Sequence, residues 1–171
     1  MSEQKIKAIL DKVVILENGK AADSVMEQTE AGPVLTLAFA SPYEPEKAVG
    51  FTISIEEQEI FYLTNIMYVV HADIDESLFE KLNELICDIN IGMYVGNYVL
   101  VKDMKAVVFN IGFYTTDNMT DDAIARQTAQ YIDLITVQTG EVGKTIYKFI
   151  SGQYSFEEAL AEANETEEGE V

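Results

Sequence analysis

The chain has 171 residues, of which 48% are hydrophobic, and it carries a formal net charge of -19. This composition favours one folded domain with a sizeable core, and the apolar runs are shorter than the roughly 20 residues that a membrane span needs. Such an acidic surface repels nucleic-acid phosphates and anionic lipids, so neither nucleic acid nor a membrane is an expected partner.

The N-terminal sequence and the cysteine content favour a cytoplasmic protein. The first ten residues do not combine a basic region with a long apolar region, so no signal peptide is expected. Cys87 is the only cysteine, which excludes a disulfide within the chain.

The first part of the chain predicts one helix and then three strands. An apolar stripe at helical spacing predicts a helix over residues 3–16. Residues 20–32 give a weak signal that could continue this helix. Alternating apolar residues predict two strands, around Leu35 to Phe39 and around Phe51 to Ile55, and a third over residues 60–70 with a bulge or kink at Asn65. Short connections between the three strands indicate an antiparallel meander.

The middle of the chain predicts an amphipathic helix followed by a hairpin. From Leu78 to Gly92, apolar residues recur at spacings of three and four. Asp73 with Glu76, or Asp75 alone, can cap the first turn. Residues 94–101 and 105–114 are rich in β-branched and aromatic residues, which is typical of paired strands.

The C-terminal part predicts a long helix, a short helix and a tail. The long helix opens at Thr120 and is expected to break or kink between Gly140 and Gly143. Ser155 and Glu158 have the spacing of a capping box before a short last helix. From about Asn164 the sequence is acidic and is expected to be disordered. The predicted organisation is one domain over residues 1–155, followed by this helix and tail over 156–171.

The predicted fold class is α+β: an antiparallel sheet of about five strands with helices on one face, in the order α-β-β-β-α-β-β-α. This pattern resembles the YbjN family, bacterial proteins that share the fold of type III secretion chaperones. The resemblance covers roughly residues 32–150, and residues 81–124 carry it, with the sequence KLNELICDINIGMYVGNYVLVKDMKAVVFNIGFYTTDNMTDDAI. Leu82-Asn83 before the hairpin is the nearest approach to a signature. The resemblance implies a dimer, and the secretion chaperones hold unfolded segments of client proteins.

The candidate catalytic groups are few. His71 and Asp73 could form a base and its orienting carboxylate, although a structural role is more common for a histidine at a strand end. Asp73 and Asp75 could bind a divalent cation, but the remaining ligands of an EF-hand are absent from the sequence, and helix capping is the favoured interpretation. The sequence also lacks a phosphate-binding loop, a Cys/His zinc cluster and a nucleophile elbow. We therefore predict no catalytic, cofactor-binding or metal-binding residue.

Tyrosines of the predicted sheet are the candidate interface residues. One sheet face is predicted to carry both polar and aromatic side chains: Thr36, Thr52, Ser54, Tyr62, Thr64 and Tyr68. Four tyrosines could share such a face and form a binding platform: Tyr62, Tyr68, Tyr94 and Tyr98. Ordinary packing under a helix or at a contact between two copies is the favoured interpretation, and an interface with a second copy is preferred to a ligand platform.

Two classes of function remain open from the sequence. The first is a non-enzymatic protein-interaction module, a chaperone-like adaptor or regulator that acts as a homodimer and binds a protein client. The second is a small-molecule-binding domain or an enzyme with its site near His71 and Asp73. The first is preferred because the catalytic inventory is so small.

Overall fold

A computed structural model describes residues 2–41, 43, 48–58, 61–116 and 118–168. It confirms the α+β class, with four helices and six strands over these residues. In chain order the elements are α1 (Glu3–Leu16), β1 (Asp23–Thr29), β2 (Gly32–Ala40), β3 (Ala48–Glu57), β4 (Tyr62–His71), α2 (Phe79–Gly92), β5 (Asn97–Val101), β6 (Ala106–Thr115), α3 (Asp121–Ile150) and α4 (Phe156–Glu168).

The strands form one antiparallel sheet in the order β1-β2-β3-β4-β6-β5. The predicted meander corresponds to β2, β3 and β4, and the predicted hairpin corresponds to β5 and β6. The sheet has one strand more than the five that the sequence predicts, because β1 was not recognised.

Strand β1 occupies the stretch whose weak pattern suggested a helix. It pairs with β2 in continuous register, from Asp23 opposite Ala38 to Thr29 opposite Gly32. A tight turn joins the two strands, and in it the Thr29 hydroxyl donates a hydrogen bond to the Gly32 carbonyl at 2.8 Å. The structure of this stretch is therefore set by its pairing with the neighbouring strand. The local sequence preference does not determine it.

The expected bulge in β4 is absent from the register that joins β3 and β4. Asn65 lies opposite Ser54 in an uninterrupted ladder. Its side-chain amide donates to the Glu56 carboxylate at 3.3 Å. A polar residue within a strand thus finds a partner on the next strand, so the backbone does not need to bend.

Helix α3 runs without a break from Asp121 to Ile150, so the expected break between Gly140 and Gly143 is wrong. A glycine inside a helix costs only about 1 kcal/mol relative to alanine, which the packing of a long helix can offset.

The capping predictions hold. Asp75 accepts a hydrogen bond from the Ser77 amide at 2.8 Å and opens the short turn that leads into α2. Ser155 and Glu158 form the reciprocal pair of a capping box, with distances of 2.8 and 3.2 Å. Helix α4 then reaches Glu168, so residues 164–168, which were predicted to belong to the tail, are helical. Residues 169–171 lie outside the described part of the chain.

The chain packs as two compact units. Unit 1 contains Met1–Tyr68 and Ile111–Ile135, and unit 2 contains Val69–Asn110 and Thr136–Val171. The prediction of a single domain over residues 1–155 stays a prediction.

In unit 1 the helices cover one face of the strands. The stripe of α1 is buried and the helix packs on β2, where Leu35 and Leu37 have no exposed surface. Tyr131 of α3 stacks on Phe113 of β6, with ring centres 4.8 Å apart. The opposite face of these strands carries the half-exposed and exposed residues of β2, β3 and β4.

Candidate interaction surface

The strands of unit 1 present a sheet face that we call the open face. The register fixes which residues share it, because residues opposite each other on paired strands point to the same side. On β2, β3 and β4 these residues are half-exposed or exposed, whereas their neighbours on the other face are mostly buried. The open face consists of Asp23, Val25, Glu27, Val34, Thr36, Ala38, Gly50, Thr52, Ser54, Glu56, Phe61, Leu63, Asn65, Met67, Gly112 and Tyr114.

Apolar and aromatic side chains on the open face are exposed or half-exposed. Tyr114 has 67% of its surface exposed and Val25 has 47%. The ring of Phe61 meets the ring of Tyr114 edge-on, with centres 4.6 Å apart. The Leu63 side chain packs closely against the backbone of Gly112, where an added Cβ would lie only 3.3 Å from it. These contacts make a continuous apolar strip at the β4–β6 side of the face.

The charged residues of the open face are all acidic. Asp23, Glu27 and Glu56 are exposed, and the face carries no lysine or arginine. Glu56 lies opposite Leu63 of the apolar strip, whereas Asp23 and Glu27 lie at the β1 end of the face.

Three of the four tyrosines predicted to form an interface are buried. Tyr62 and Tyr68 lie on the covered face of β4, and Tyr68 stacks on Phe51 with ring centres 4.5 Å apart. Burial raises the pKa of Tyr68 to about 12. Thr64 lies on the same covered face, so the polar and aromatic face predicted from the sequence is wrong for β4. Phe61 and Leu63, which lie on the other side of this part of the chain, are half-exposed.

The two tyrosines of unit 2 have opposite environments. Tyr98 of β5 is buried against Phe109, with ring centres 5.0 Å apart. Tyr94 is fully exposed in the loop before β5, which begins at Asn97 and not at residue 94 as predicted. The Asn90 side chain fixes this loop, because it bonds both the amide and the carbonyl of Tyr98 at 2.8 Å. Only Tyr94 of the predicted set can contribute contact area to a partner.

His71 and Asp73 are placed very differently. His71 is buried, and its Nε2 lies 2.8 Å from the Gly143 carbonyl oxygen. Because a carbonyl can only accept, this nitrogen carries the proton. The ring also stacks on Tyr147, with centres 5.6 Å apart. Asp73 is exposed and has a positive φ of 59°. The histidine thus contacts the part of helix α3 that belongs to unit 2, through the backbone of Gly143.

The end of α1 carries a buried carboxyl group that the sequence interpretation missed. Glu17 has no exposed surface, and neither of its carboxylate oxygens accepts a hydrogen bond. Lys20 lies 3.6 Å from one of them, but its ammonium group bonds Asp133 more closely, at 2.6 Å. Burial raises the pKa of Glu17, the Lys20 charge lowers it in part, and Asp133 raises it further.

A signal for Glu17 is present in the sequence. The buried stripe of α1 runs through Ile6, Leu10 and Val13, and Glu17 stands four residues after Val13. A carboxylate at the next position of an apolar stripe predicts a buried charge.

We expect the stability of the protein to depend on pH through Glu17. A raised pKa means that folded Glu17 holds its proton more tightly than unfolded Glu17 does. Protonated Glu17 therefore contributes its full stabilisation to the folded state at pH values below the usual carboxyl pKa. This contribution is lost as the pH rises through the raised pKa of folded Glu17. Glu17→Gln should be more stable than wild type by about 1 kcal/mol at neutral pH, and this difference should vanish below about pH 4.

Urea denaturation at several pH values measures this difference. Glu84→Gln is the matched control, because Glu84 is an exposed acid of α2, and its difference from wild type should stay near zero. A Glu17→Gln variant that is less stable than wild type at neutral pH would show instead that the ion pair with Lys20 outweighs the burial of the charge.

Among the described residues, no group of three or more His, Cys, Asp or Glu side chains is arranged to hold a metal ion. None of the described helices is both long enough and apolar enough to cross a bilayer. Cys87 is exposed, as its position opposite the apolar stripe of α2 predicts.

Comparison with known proteins leaves the resemblance to the YbjN family as a prediction. No protein-family model matches the chain, and a search of curated proteins also gave no match.

Proposed function

We propose that this chain is a non-enzymatic protein-interaction module, a chaperone-like adaptor or regulator that acts as a homodimer in the cytoplasm. The open face of unit 1 is the observation that carries the proposal. Its strip of Phe61, Leu63 and Tyr114 binds an apolar segment of a client protein. Sheets normally bury such a face against another layer, and exposed apolar patches of this kind mark sites of protein interaction.

The chemistry of the open face defines the client. Aromatic side chains such as Tyr114 provide large contact area at a low cost in conformational entropy, which is why they dominate binding energy at interfaces. The Glu56 carboxylate lies opposite Leu63 of the strip, and the carboxylates of Asp23 and Glu27 flank Val25 at the β1 end of the open face. They favour a client whose apolar segment is flanked by lysine or arginine, and they disfavour acidic competitors.

The dimer is proposed from the resemblance to the YbjN family and not from a particular contact. The buried positions of Tyr62, Tyr68 and Tyr98 remove them from any contact surface. Tyr94 and the neighbouring Ile91 are exposed in unit 2, and they are candidates for a contact between copies.

The alternative, an enzyme or small-molecule site near His71 and Asp73, has less support. A general base needs a free nitrogen within reach of the proton that it removes. The Nε2 of His71 is engaged with a backbone carbonyl, and the ring lies below the surface. Turnover that is lost in a folded His71→Ala variant would favour this alternative.

Substitutions on the open face should reduce client binding. We expect the double variant Val25→Ser with Tyr114→Ser to lose about fivefold or more of the wild-type ability to suppress aggregation of reduced insulin chains, because each change removes an exposed apolar contact. Light scattering measures this suppression. Val137→Ser is the matched control, since Val137 is 77% exposed but lies on α3 outside the open face. Equal suppression by the double variant and the control would contradict the use of the open face.

The oligomeric state is tested separately, by size-exclusion chromatography with light scattering. The proposal predicts the mass of two chains at high concentration. A strictly monomeric protein would remove the homodimer and would leave the binding of clients to be judged by the aggregation assay.

A further inference from the structure

The turn between α1 and β1 contains the only Asn-Gly pair of the chain, at Asn18 and Gly19. The backbone nitrogen that follows an asparagine can attack the side-chain amide carbon and close a five-membered ring. A side chain on the following residue hinders this attack, and glycine has none. Every other asparagine of the chain precedes a residue with a side chain. Asparagine is one of the thermally labile residues of proteins, and the sequence makes Asn18 the least protected one here.

The structure leaves both reacting groups accessible. Asn18 and Gly19 are exposed, and Asn18 faces Ala21 in an isolated bridge within the turn. The amides of Lys20 and Ala21 both donate to the Glu17 carbonyl, at 3.0 and 3.1 Å. Among the described residues, by contrast, the Gly19 amide donates no hydrogen bond of normal geometry, and the Asn18 side chain has no hydrogen-bond partner. The attacking nitrogen and the carbon that it attacks are therefore not held by other groups.

The surroundings of Gly19 leave room for the ring to close. Its φ of +88° is a conformation that glycine adopts without strain. An added Cβ there would have no atom within 4 Å, so no neighbouring group packs against this side of the turn. Tertiary packing at Gly19 therefore does not oppose the change in backbone angles that ring closure requires.

Two other asparagines show how the fold can protect a side-chain amide. The Asn90 side chain bonds both the amide and the carbonyl of Tyr98 at 2.8 Å. The Asn65 side chain donates to the Glu56 carboxylate at 3.3 Å. Each of these asparagines also precedes an isoleucine, whose branched side chain crowds its own backbone nitrogen. Asn18 has neither form of protection.

We propose that Asn18 is a site of spontaneous modification, at which its amide is converted to a carboxylate through a cyclic imide formed with Gly19. The Gly19 nitrogen gives up its proton and bonds the side-chain amide carbon of Asn18. The bond from this carbon to the side-chain nitrogen breaks, and ammonia leaves with that proton. Water then opens the ring at one of its two carbonyl carbons. Attack at the former side-chain carbon gives aspartate, and attack at the former main-chain carbon gives isoaspartate. The reaction consumes water, releases ammonia and needs no oxidant.

The product adds a negative charge where Lys20 already contacts two acids. The Lys20 ammonium group lies 2.6 Å from Asp133 and 3.6 Å from Glu17. Burial raises the pKa of Glu17, and Asp133 raises it further. A new carboxylate at position 18 acts in the same direction, because like charges oppose ionisation. The modification therefore makes it harder for the buried Glu17 to ionise.

The isoaspartyl product also changes the backbone. Its main chain runs through the former side chain, so it is longer by one carbon atom after position 18. In the unmodified turn, the amides of Lys20 and Ala21 bond the Glu17 carbonyl, and the Ala22 amide bonds the Ala38 carbonyl of β2 at 2.7 Å. A longer main chain alters the spacing on which these bonds depend. We therefore expect the isoaspartyl form to be less stable than the unmodified protein.

The test follows the full-length protein during incubation in mildly alkaline buffer. Peptide mapping by mass spectrometry identifies the modified residue, and anion-exchange chromatography separates the molecules that have gained a negative charge. A synthetic peptide of residues 12–25 is the unfolded reference. Asn18→Gln is the matched variant, because a glutamine must close a less favourable six-membered ring.

We expect conversion at Asn18 to be about tenfold or more faster than at any other asparagine, which corresponds to an activation barrier lower by about 1.4 kcal/mol. The rate in the folded protein should be within about tenfold of the rate in the peptide. It should rise with pH, because the attacking nitrogen must lose its proton. Asn18→Gln should yield no modified form of this turn. Conversion in the peptide without conversion in the folded protein, or faster conversion at another asparagine, would overturn the inference.

The effect on the backbone has its own comparison. The isoaspartyl fraction of the incubated protein and the Asn18→Asp variant carry the same additional charge, but only the first has the longer main chain. We expect the isoaspartyl fraction to unfold at a lower urea concentration than Asn18→Asp, and equal midpoints would show that the turn tolerates the longer chain. The inference is independent of the proposed function, because the reaction requires only the turn and water, so the aggregation assay does not decide it.

Discussion

Gly96→Ala should lower the free energy of unfolding by about 3 kcal/mol. Gly96 has a φ of +74°, a conformation that costs an L-residue roughly 1–2 kcal/mol. An added Cβ would also overlap the ring of Phe109 and would lie 2.8 Å from the Asn110 carbonyl oxygen. Phe109 has no exposed surface and cannot move aside, so overpacking adds roughly another 1–3 kcal/mol.

Gly140→Ala is the matched control for this prediction. Gly140 lies within α3, and an added Cβ there would have no atom within 4 Å beyond its own helical surroundings. Replacing a helical glycine by alanine should stabilise the protein by about 0.5–1 kcal/mol. Urea denaturation of both variants measures the contrast. Similar stabilities of the two variants would mean that the loop before β5 differs from the one described here.

Truncation after Tyr154, which removes α4, should lower the free energy of unfolding by about 3–5 kcal/mol. In unit 2, α4 packs on α2 and buries Ala159 and Ala163. Its Glu162 accepts hydrogen bonds from Lys148 at 2.7 Å and from Thr145 at 2.9 Å. Removing the helix exposes the apolar surface beneath it and leaves the polar groups of Lys148 and Thr145 without these contacts.

Truncation after Ala163 is the control for the loss of α4. It keeps the buried Ala159 and Ala163 and the Glu162 contacts, and it removes the exposed Asn164 and Glu165 with the residues that follow. We expect its stability to be within about 0.5 kcal/mol of wild type. A large loss on this second truncation would show that the last residues contribute to the fold. Thermal and urea denaturation of both truncated proteins distinguish these outcomes.

Elements with a single clear periodicity were predictable from the sequence. Helix α1 has one apolar stripe, and β3 alternates Phe51, Ile53 and Ile55 with small polar residues, so both were placed correctly. Strand β1 has no such pattern, since nearly all its residues are exposed and its structure depends on pairing with β2. The break predicted in α3 from Gly140 and Gly143 was wrong. Glycine weakens a helix only slightly, and the sequence alone does not show the packing that offsets this cost.

The candidate surface was harder to predict because β4 is apolar on both sides. Phe61, Leu63 and Met67 alternate with Tyr62, Ile66 and Tyr68, and either set could face the core. The register with β3 places Tyr62, Ile66 and Tyr68 on the covered face. Choosing the buried side of β4 by hydrophobicity alone placed the two tyrosines on the open face instead. The surface itself depends on residues from five strands, which no single stretch of sequence brings together.

The most direct test of the central claim is affinity purification from the native host with mass spectrometry. Wild type, the Val25→Ser with Tyr114→Ser variant and the Val137→Ser control are compared side by side. The proposal predicts a protein partner that is recovered with wild type and with Val137→Ser and is lost with the double variant. Recovery of the same partners by all three proteins, with the double variant folded as wild type, would contradict a function carried by the open face.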